Sequence, residues 1–149
     1  MKIYIINGPN LNMLGIREPE HYGNTTYNGL LEMLRDYCIG CGIEPVFYQS
    51  NHEGDLVDKI QEAYFEGASG IVINPGAYTH TSIAILDAVK SVRLPTVEVH
   101  ISKLDEREDY RQISYVREAV IKTVSGEGVN GYVTAIKALK EYISKSGKQ

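Results

Sequence analysis

Tryptophan is absent from this chain of 149 residues, and phenylalanine occurs only twice. Cysteine also occurs only twice, which is too few for a disulfide framework and favours a reducing, cytoplasmic setting. No apolar run approaches the roughly 20 residues that span a bilayer, and the N-terminal apolar stretch is too short for a signal peptide. Basic residues are not in excess, because 15 Lys and Arg face 19 Asp and Glu. The resulting net charge of −4 argues against a dedicated nucleic-acid-binding protein.

Tyrosine, with eleven copies, makes up most of the aromatic residues. This excess is compatible with core packing, with an ordinary surface, or with chemistry that uses phenols. Composition alone does not decide among these three, so the individual positions have to be considered.

Apolar runs and amphipathic stretches alternate along the whole chain, whose length corresponds to one domain. The pattern predicts strands over 2–7, 44–49, 70–74, 95–101 and 118–124. It predicts helices over 26–40, 53–67, 80–92 and 129–145, with a shorter helical turn near 105–112. Such alternation is typical of a parallel sheet covered on both faces. We therefore expect a single α/β domain, a flavodoxin-like three-layer sandwich whose five-stranded parallel sheet has the order 2-1-3-4-5.

Polar residues follow three of the predicted strands at the point where each strand ends. The segments are Asn7-Gly8-Pro9-Asn10, Asn74-Pro75-Gly76 and Glu98-Val99-His100-Ile101-Ser102. In an open α/β sheet, ligands bind outside the carboxyl ends of the strands at the switch point, here between the first and third strands. Turn chemistry explains each segment alone, but the three together favour a polar site. Glu98 in a buried strand also needs a partner, and His100 on the same face is the obvious one.

Two short motifs match known patterns in an unfavourable context. The segment 126–131 (GEGVNG) matches a dinucleotide-binding fingerprint, but that fingerprint belongs to a first βαβ unit with an acidic residue about 20 positions later. Only one helix follows it here, so we expect a tight turn. Cys38 and Cys41 match a redox C-x-x-C motif, but they lie at the end of a helix, where the dipole opposes a thiolate. We expect buried structural cysteines.

The segment between the first strand and the first helix, 8–25, is longer than most loops in compact domains. It leaves the sheet at the predicted site and contains Arg17 and Tyr22, with Gly15 and Gly23 as hinges, so we expect a mobile lid over the site. A guanidinium close to a phenol favours the phenolate, which makes a base available at neutral pH. The alternative is a surface arginine beside a half-buried loop tyrosine, and spacing alone favours that alternative.

Five segments carry a more specific signal: NGPNLNMLGIREPEHYGNTT, QSNHEG, NPGAYTHTSIAILDA, EVHISKLDEREDYR and GEGVNGY. They are collinear, cover nearly the whole chain, and together resemble the signatures of type II 3-dehydroquinate dehydratases. The resemblance implies a flavodoxin-like hydro-lyase that interconverts 3-dehydroquinate and 3-dehydroshikimate by anti elimination through an enolate, in the shikimate pathway to chorismate and the aromatic amino acids. It also implies that no metal, Schiff base or other cofactor is used, and that the enzyme is a homododecamer built as a tetramer of trimers.

The resemblance also implies roles for individual residues. It places the proton-abstracting base at Tyr22, activated by Arg17, and the general acid at His100, whose imidazole Glu98 orients and charges. It places at Asn10 the residue that holds an ordered water against the enolate. The residues that it implies for binding the substrate are Asn74, His80, Asp87, Ile101, Ser102 and Arg111, with Ile101 and Ser102 acting largely through their backbone amides. Among the eleven tyrosines, only Tyr22 then requires a chemical role.

These residue types suit the implied chemistry. An enolate needs preorganised donors where its charge develops, and a hydroxide leaving group needs an acid such as histidine. Arg17 and Arg111 would supply local positive charge within an acidic protein. Asp87 follows His80 by seven residues, two turns of the predicted helix, so both side chains are expected on one face.

Several residues also have a purely structural alternative. His80 could simply begin a helix, Asp87 could be a solvated charge, and Arg111 could form a salt bridge with Glu108. Surface positions are expected for two other histidines, His21 and His52. Departures from the family pattern at Leu86, Ile113 and 115–118 concern packing and subunit contacts in the 103–125 region, and none replaces an assigned catalytic group.

The main rival to an enzyme is a non-enzymatic, flavodoxin-like metabolite-binding module. A phospho-receiver would need acidic residues where Asn7 and Asn74 stand, and a flavodoxin would need a Thr- and Ser-rich phosphate loop where the chain has NGPNLN. Use of the same dehydration reaction in quinate catabolism is a further alternative.

Overall fold

The apolar runs predicted as strands form one parallel sheet in the computed structural model, which describes residues 1–16, 18–22 and 24–147, with the backbone alone at Pro19 and Tyr22. The strands are β1 (Lys2–Asn7), β2 (Glu44–Gln49), β3 (Gly70–Asn74), β4 (Thr96–His100) and β5 (Lys122–Ser125). The helices are α1 (Pro19–Tyr22), α2 (Tyr27–Gly40), α3 (Glu53–Phe65), α4 (Ile83–Val92) and α5 (Asn130–Ser146). The sheet order β2-β1-β3-β4-β5 confirms the predicted topology and fold class.

Alternation along β1 sends successive side chains to opposite faces of the sheet. Ile3 and Ile5 pack in a core with α2 and α5, whereas Tyr4 and Ile6 pack in a second core with α3 and α4. All four are buried. Because helices cover both faces, the carboxyl edge of the sheet is where the central strands meet a ligand.

The helix predicted over 80–92 begins later than expected, at Ile83. The reason is a cap, because the hydroxyl of Ser82 accepts the N–H of Ile85 at 2.9 Å. The preceding segment, Gly76–His80, forms a 3₁₀ turn instead. His80 therefore does not share a helical face with Asp87, and the two-turn argument for that pair is wrong.

The prediction of a strand over 118–124 is wrong for the first half of that range. Val116–Ala119 forms a 3₁₀ turn, and β5 begins only at Lys122. Val116 and Val120 pack into the core beside α4, so the apolar residues there mark packing of a loop and not a strand.

Two other irregular segments contain short elements. The segment 8–25 includes a 3₁₀ turn at Leu11–Met13 as well as α1. The helical turn expected near 105–112 is a pair of 3₁₀ turns, Leu104–Glu106 and Asp109–Arg111. In the part of the chain that the structure describes, no helix is both long and apolar enough to cross a membrane.

Both short motifs have structural roles, as predicted. Gly126 and Gly128 have φ values of 80° and 61°, a left-handed conformation that suits glycine, and α5 follows directly at Asn130. Cys38 is fully buried within α2, whereas Cys41, just past the end of that helix, is only partly buried, so the expected burial holds for Cys38 alone. Burial raises the pKa of the Cys38 thiol to about 11, which disfavours the thiolate that redox chemistry needs.

Candidate active site

A cavity of about 120 Å³ opens at the carboxyl edge of the sheet, among the segments that follow β1, β3 and β4. The three strand ends that the sequence predicts to be neighbours therefore do meet. Of the residues predicted for the site, those that line the cavity are Asn10, Asn74, His80, His100, Ile101, Ser102 and Arg111.

Glycine at position 8 brings the ends of β1 and β3 close together. Asn7 and Asn74 are partners across the two strands, and the N–H of Gly8 donates to the carbonyl of Asn74 at 2.8 Å. A Cβ at Gly8 would lie only 2.3 Å from the carbonyl oxygen of Pro75. No larger residue fits there without separating the two loops that line the cavity.

Asn10 is held in place from the segment that follows β2. Its φ of 69° is left-handed, which asparagine tolerates better than most residues. Its N–H donates to Oδ1 of Asn51 at 3.0 Å, and the same oxygen accepts Nε2 of Gln49 at 3.1 Å. These contacts hold the backbone of the β1 loop at the rim of the cavity.

The pair predicted on β4 is present. Oε2 of Glu98 accepts Nε2–H of His100 at 2.5 Å, and the two side chains are 0% and 6% exposed. A spacing of two places both on one face of the strand. Since Nε2 is committed to the carboxylate, Nδ1 is the ring nitrogen left for a ligand in the cavity that His100 lines.

Three further groups donate to the buried Glu98 carboxylate. Ser114 Oγ donates at 2.6 Å, Thr123 Oγ1 at 2.9 Å and Arg117 Nε at 3.4 Å. Burial by itself raises the pKa of Glu98, but hydrogen bonds from His100, Ser114 and Thr123 outweigh it and lower that pKa to about 2. Glu98 is therefore ionised at neutral pH.

His80 reaches the cavity from the 3₁₀ turn after β3. Its Nδ1–H donates to the carbonyl of Ile113 at 2.7 Å, since a carbonyl can only accept. Burial lowers the pKa of His80 below its ordinary value of 6.5, so the ring is neutral at pH 7. Nε2 is then an acceptor for a ligand hydroxyl.

Two arginines bring positive charge to the cavity. Arg111 lies with Nε 2.8 Å from Oε2 of Glu108, so it both lines the cavity and forms the ion pair considered as its alternative. Arg107 also lines the cavity, its side chain is only 6% exposed, and its Nη1 donates to Oγ of Ser102 at 3.0 Å. Sequence reasoning missed Arg107. The available signal was its place in a loop that directly follows a polar strand end.

Glu98 reaches the cavity only through His100, and three other predicted residues are not among the described residues that line it. Asp87 is exposed on α4 and is not among the lining residues. Arg17 and the side chain of Tyr22 lie outside the described residues. The roles of all three stay predictions. His21 and His52 are exposed, as expected.

The comparison with protein families agrees with this geometry. The family model described as "Dehydroquinase class II" matches residues 1–140. The chain belongs to the class II dehydroquinase family. Among curated members, the 3-dehydroquinate dehydratase of Clostridium acetobutylicum is 53% identical over 145 residues, which cover 97% of this chain and 100% of that relative. The one from Caldicellulosiruptor saccharolyticus is 50% identical over 142 residues, 95% of this chain and 98% of that relative.

Solved class II dehydroquinases have the same fold. The structure of type II dehydroquinase from Butyrivibrio crossotus matches with a TM-score of 0.93 and 55% identity, covering 94% of this chain and 97% of the other. The enzyme from Propionibacterium acnes matches with a TM-score of 0.88 and 37% identity, covering 96% of each chain. The family that the five sequence segments resemble, the type II dehydroquinases, is therefore confirmed over nearly the whole chain.

Proposed function

We propose that this chain is a 3-dehydroquinate dehydratase of the shikimate pathway, which leads to chorismate and the aromatic amino acids. The observation that carries the proposal is the buried Glu98–His100 pair beside a cavity that also holds cationic side chains. Support for the substrate comes from membership of the class II dehydroquinase family and from relatives named 3-dehydroquinate dehydratase. These matches do not favour a non-enzymatic binding module or a role in quinate catabolism.

The proposed reaction has two proton transfers. Tyr22, as a phenolate stabilised by Arg17, removes a proton α to the ketone, and the C–H electron pair forms an enolate. Donors near the enolate oxygen, with a water held by Asn10, stabilise the developing charge. Collapse of the enolate then breaks the C–O bond on the opposite face, and His100 protonates the departing hydroxide to give water.

Glu98 supports this acid in two ways. Its carboxylate fixes which nitrogen of His100 faces the cavity, and its negative charge stabilises an imidazolium. The carboxylate stays charged because hydroxyl groups from Ser114 and Thr123 solvate it in place of water.

Substrate recognition follows from the remaining cavity residues. We assign the carboxylate to the positive region around Arg111, where Arg107 adds a second cation. We assign ring hydroxyls to Asn74 and His80, and further contacts to the backbone amides of Ile101 and Ser102. Asp87 is retained as a binding residue by family resemblance alone, since it lies away from this cavity.

Three broader features complete the proposal. The segment 8–25 acts as a mobile lid of a single catalytic domain, 1–149, and its closure excludes water from the reaction. The enzyme assembles as a homododecamer, a tetramer of trimers, which light scattering coupled to size-exclusion chromatography would test. We retain a cytoplasmic location as a prediction from the low cysteine content.

Turnover tests the proposal. We expect the protein to convert 3-dehydroquinate to a conjugated enone, followed by its ultraviolet absorbance, and to leave quinate unchanged because quinate lacks the ketone that an enolate requires. Borohydride added with substrate should leave the enzyme active, since no imine forms. Covalent inactivation through a lysine would contradict the enolate mechanism, and an absence of enone would contradict the proposed function.

A further inference from the structure

A fully buried tyrosine connects the ends of β1 and β3 behind the cavity. Tyr132 lies in the first turn of α5, and none of its surface is accessible. Its hydroxyl donates to Oδ1 of Asn7 at 2.5 Å and accepts Nδ2–H of Asn74 at 3.0 Å. Gly131, the residue before it, lies so near the sheet that a Cβ there would be in van der Waals contact with side chains of β4 and β5 at 3.4 Å. The helix therefore begins close against the sheet, and the Tyr132 side chain reaches the ends of β1 and β3.

These contacts determine the orientation of the Asn74 side-chain amide: its oxygen faces Gly76 and its nitrogen faces Tyr132. Oδ1 of Asn74 accepts the N–H of Gly76 at 3.1 Å, so the oxygen end is committed. The hydroxyl of Tyr132 has one proton, which it gives to Asn7, so toward Asn74 it can only accept. A reversed amide would place two donors together at Gly76 and two acceptors together at Tyr132.

Among the residues that the structure describes, one donor of Asn74 remains after these contacts. Its amide nitrogen carries two N–H bonds, and Tyr132 accepts one of them. Asn74 is 4% exposed and lines the cavity, so the second N–H is available to a ligand there. The oxygen atoms of ring hydroxyls and of a carboxylate are the acceptors that such a donor would bind.

We propose that Tyr132 is a positioning residue, which fixes Asn74 as a hydrogen-bond donor to an oxygen of the substrate. The proposal rests on the proposed function of the cavity. Tyr132 itself takes no part in proton transfer, because burial raises the pKa of its phenol and keeps it neutral. Asn74 binds the substrate in both the ground state and the transition state, so losing its fixed orientation weakens both equally and raises KM with little change in kcat.

The test compares two buried tyrosines. Tyr132→Phe removes the hydroxyl behind Asn74, and Tyr4→Phe removes a hydroxyl that donates to Glu62 at 2.8 Å on the other face of the sheet. KM and kcat for 3-dehydroquinate are measured together with the calorimetric Kd of quinate, which cannot eliminate. We expect KM and Kd to rise roughly tenfold in Tyr132→Phe, with kcat within about threefold, and Tyr4→Phe to match the wild type.

Each outcome decides the question. A folded Tyr132→Phe whose KM and Kd stay within about twofold of the wild type overturns the proposal, and so does an equal change in Tyr4→Phe. If Tyr132→Phe does not fold, Asn7→Ala serves instead, because it removes the acceptor and lets the Tyr132 hydroxyl turn toward Asn74. The same rise in KM is then expected, and unchanged constants overturn the proposal.

Failure of the proposed function is recognised separately. A wild-type protein that binds quinate without converting 3-dehydroquinate contradicts the dehydratase, and the Kd of Tyr132→Phe then decides the role of Tyr132 alone. A wild-type protein that neither binds quinate nor turns over 3-dehydroquinate contradicts both.

Discussion

The Nε2–H of His100 is donated to the carboxylate of Glu98 across 2.5 Å inside the sheet, so the acid of the proposed reaction has only Nδ1 left for the cavity. Two residues of one strand thus fix both the orientation of an imidazole and the charge behind it. The pair depends on the hydroxyls of Ser114 and Thr123, which come from outside β4 and satisfy the carboxylate that the fold has removed from water.

Replacing Glu98 by Gln is expected to reduce kcat at least about 100-fold, because the amide neither stabilises an imidazolium nor fixes the same ring proton. The matched control is Glu62→Gln. Like Glu98, Glu62 is a carboxylate that accepts a side-chain hydroxyl, here that of Tyr4, but it lies away from the cavity. The kcat of Glu62→Gln should equal that of the wild type. Steady-state kinetics measure both, and a Glu98→Gln enzyme with normal kcat would remove Glu98 from the mechanism.

The low pKa of Glu98 predicts that the free energy of unfolding decreases at acidic pH. Its pKa is about 2 in the folded protein, below the ordinary value of 4.5, so unfolding takes up a proton as the pH falls through this range. The stabilisation, about 3 kcal/mol, is complete above about pH 5 and is lost toward pH 2. Denaturant unfolding from pH 6 to pH 2 should show a shallower decline in Glu98→Gln. Parallel declines in the two proteins would refute this assignment.

Arg107, absent from the sequence-based site, is expected to contribute to substrate binding. Arg107→Gln should raise KM for 3-dehydroquinate about tenfold or more, since it removes a nearly buried cation and the donor to Ser102. Lys90→Gln is the control, because Lys90 on α4 forms an exposed ion pair with Glu118 in the Val116–Ala119 turn. Similar KM values for the two variants would show that Arg107 does not contact the substrate.

Any side chain at position 8 is expected to destabilise the fold for a steric reason. Gly8→Ala places a Cβ 2.3 Å from the carbonyl oxygen of Pro75, so the free energy of unfolding should fall by about 1–3 kcal/mol. Gly54→Ala, in the first turn of α3, meets no atom within 4 Å and should be neutral or slightly stabilising. Chemical denaturation compares them, and equal stabilities would contradict the close approach of β1 and β3.

The order of the sheet and the location of the site were accessible from the sequence because both depend on repeated signals. β1 and β3 are apolar on both faces, which identifies central parallel strands, and polar segments at their ends meet wherever such a sheet forms. The Glu98–His100 pair follows from the same alternation, since a buried carboxylate requires a partner on its own face.

The remaining features depend on single contacts that leave no periodic pattern. The start of α4 is set by the Ser82 cap, so the apolar spacing of 80–92 overextended the helix and misplaced Asp87 relative to His80. The loop that carries Arg107 is held by Gln112, whose Nε2 donates to the carbonyls of Leu104 and Arg107 at 2.7 and 2.8 Å.

Tyr132 was overlooked for a related reason. Its ring packs like any core residue, and only the three-dimensional meeting of α5 with the ends of β1 and β3 gives its hydroxyl a role. The expectation that only Tyr22 among the tyrosines requires a chemical role stays a prediction, and it overlooks the positioning role proposed for Tyr132.

The most direct measurement is the initial rate of enone formation from 3-dehydroquinate by the wild type and by Tyr22→Phe, at equal concentrations of folded protein. The account predicts steady turnover by the wild type and a loss of at least about 100-fold in Tyr22→Phe, because the variant lacks the base that removes the α proton. Wild-type absorbance no higher than that of Tyr22→Phe would contradict it.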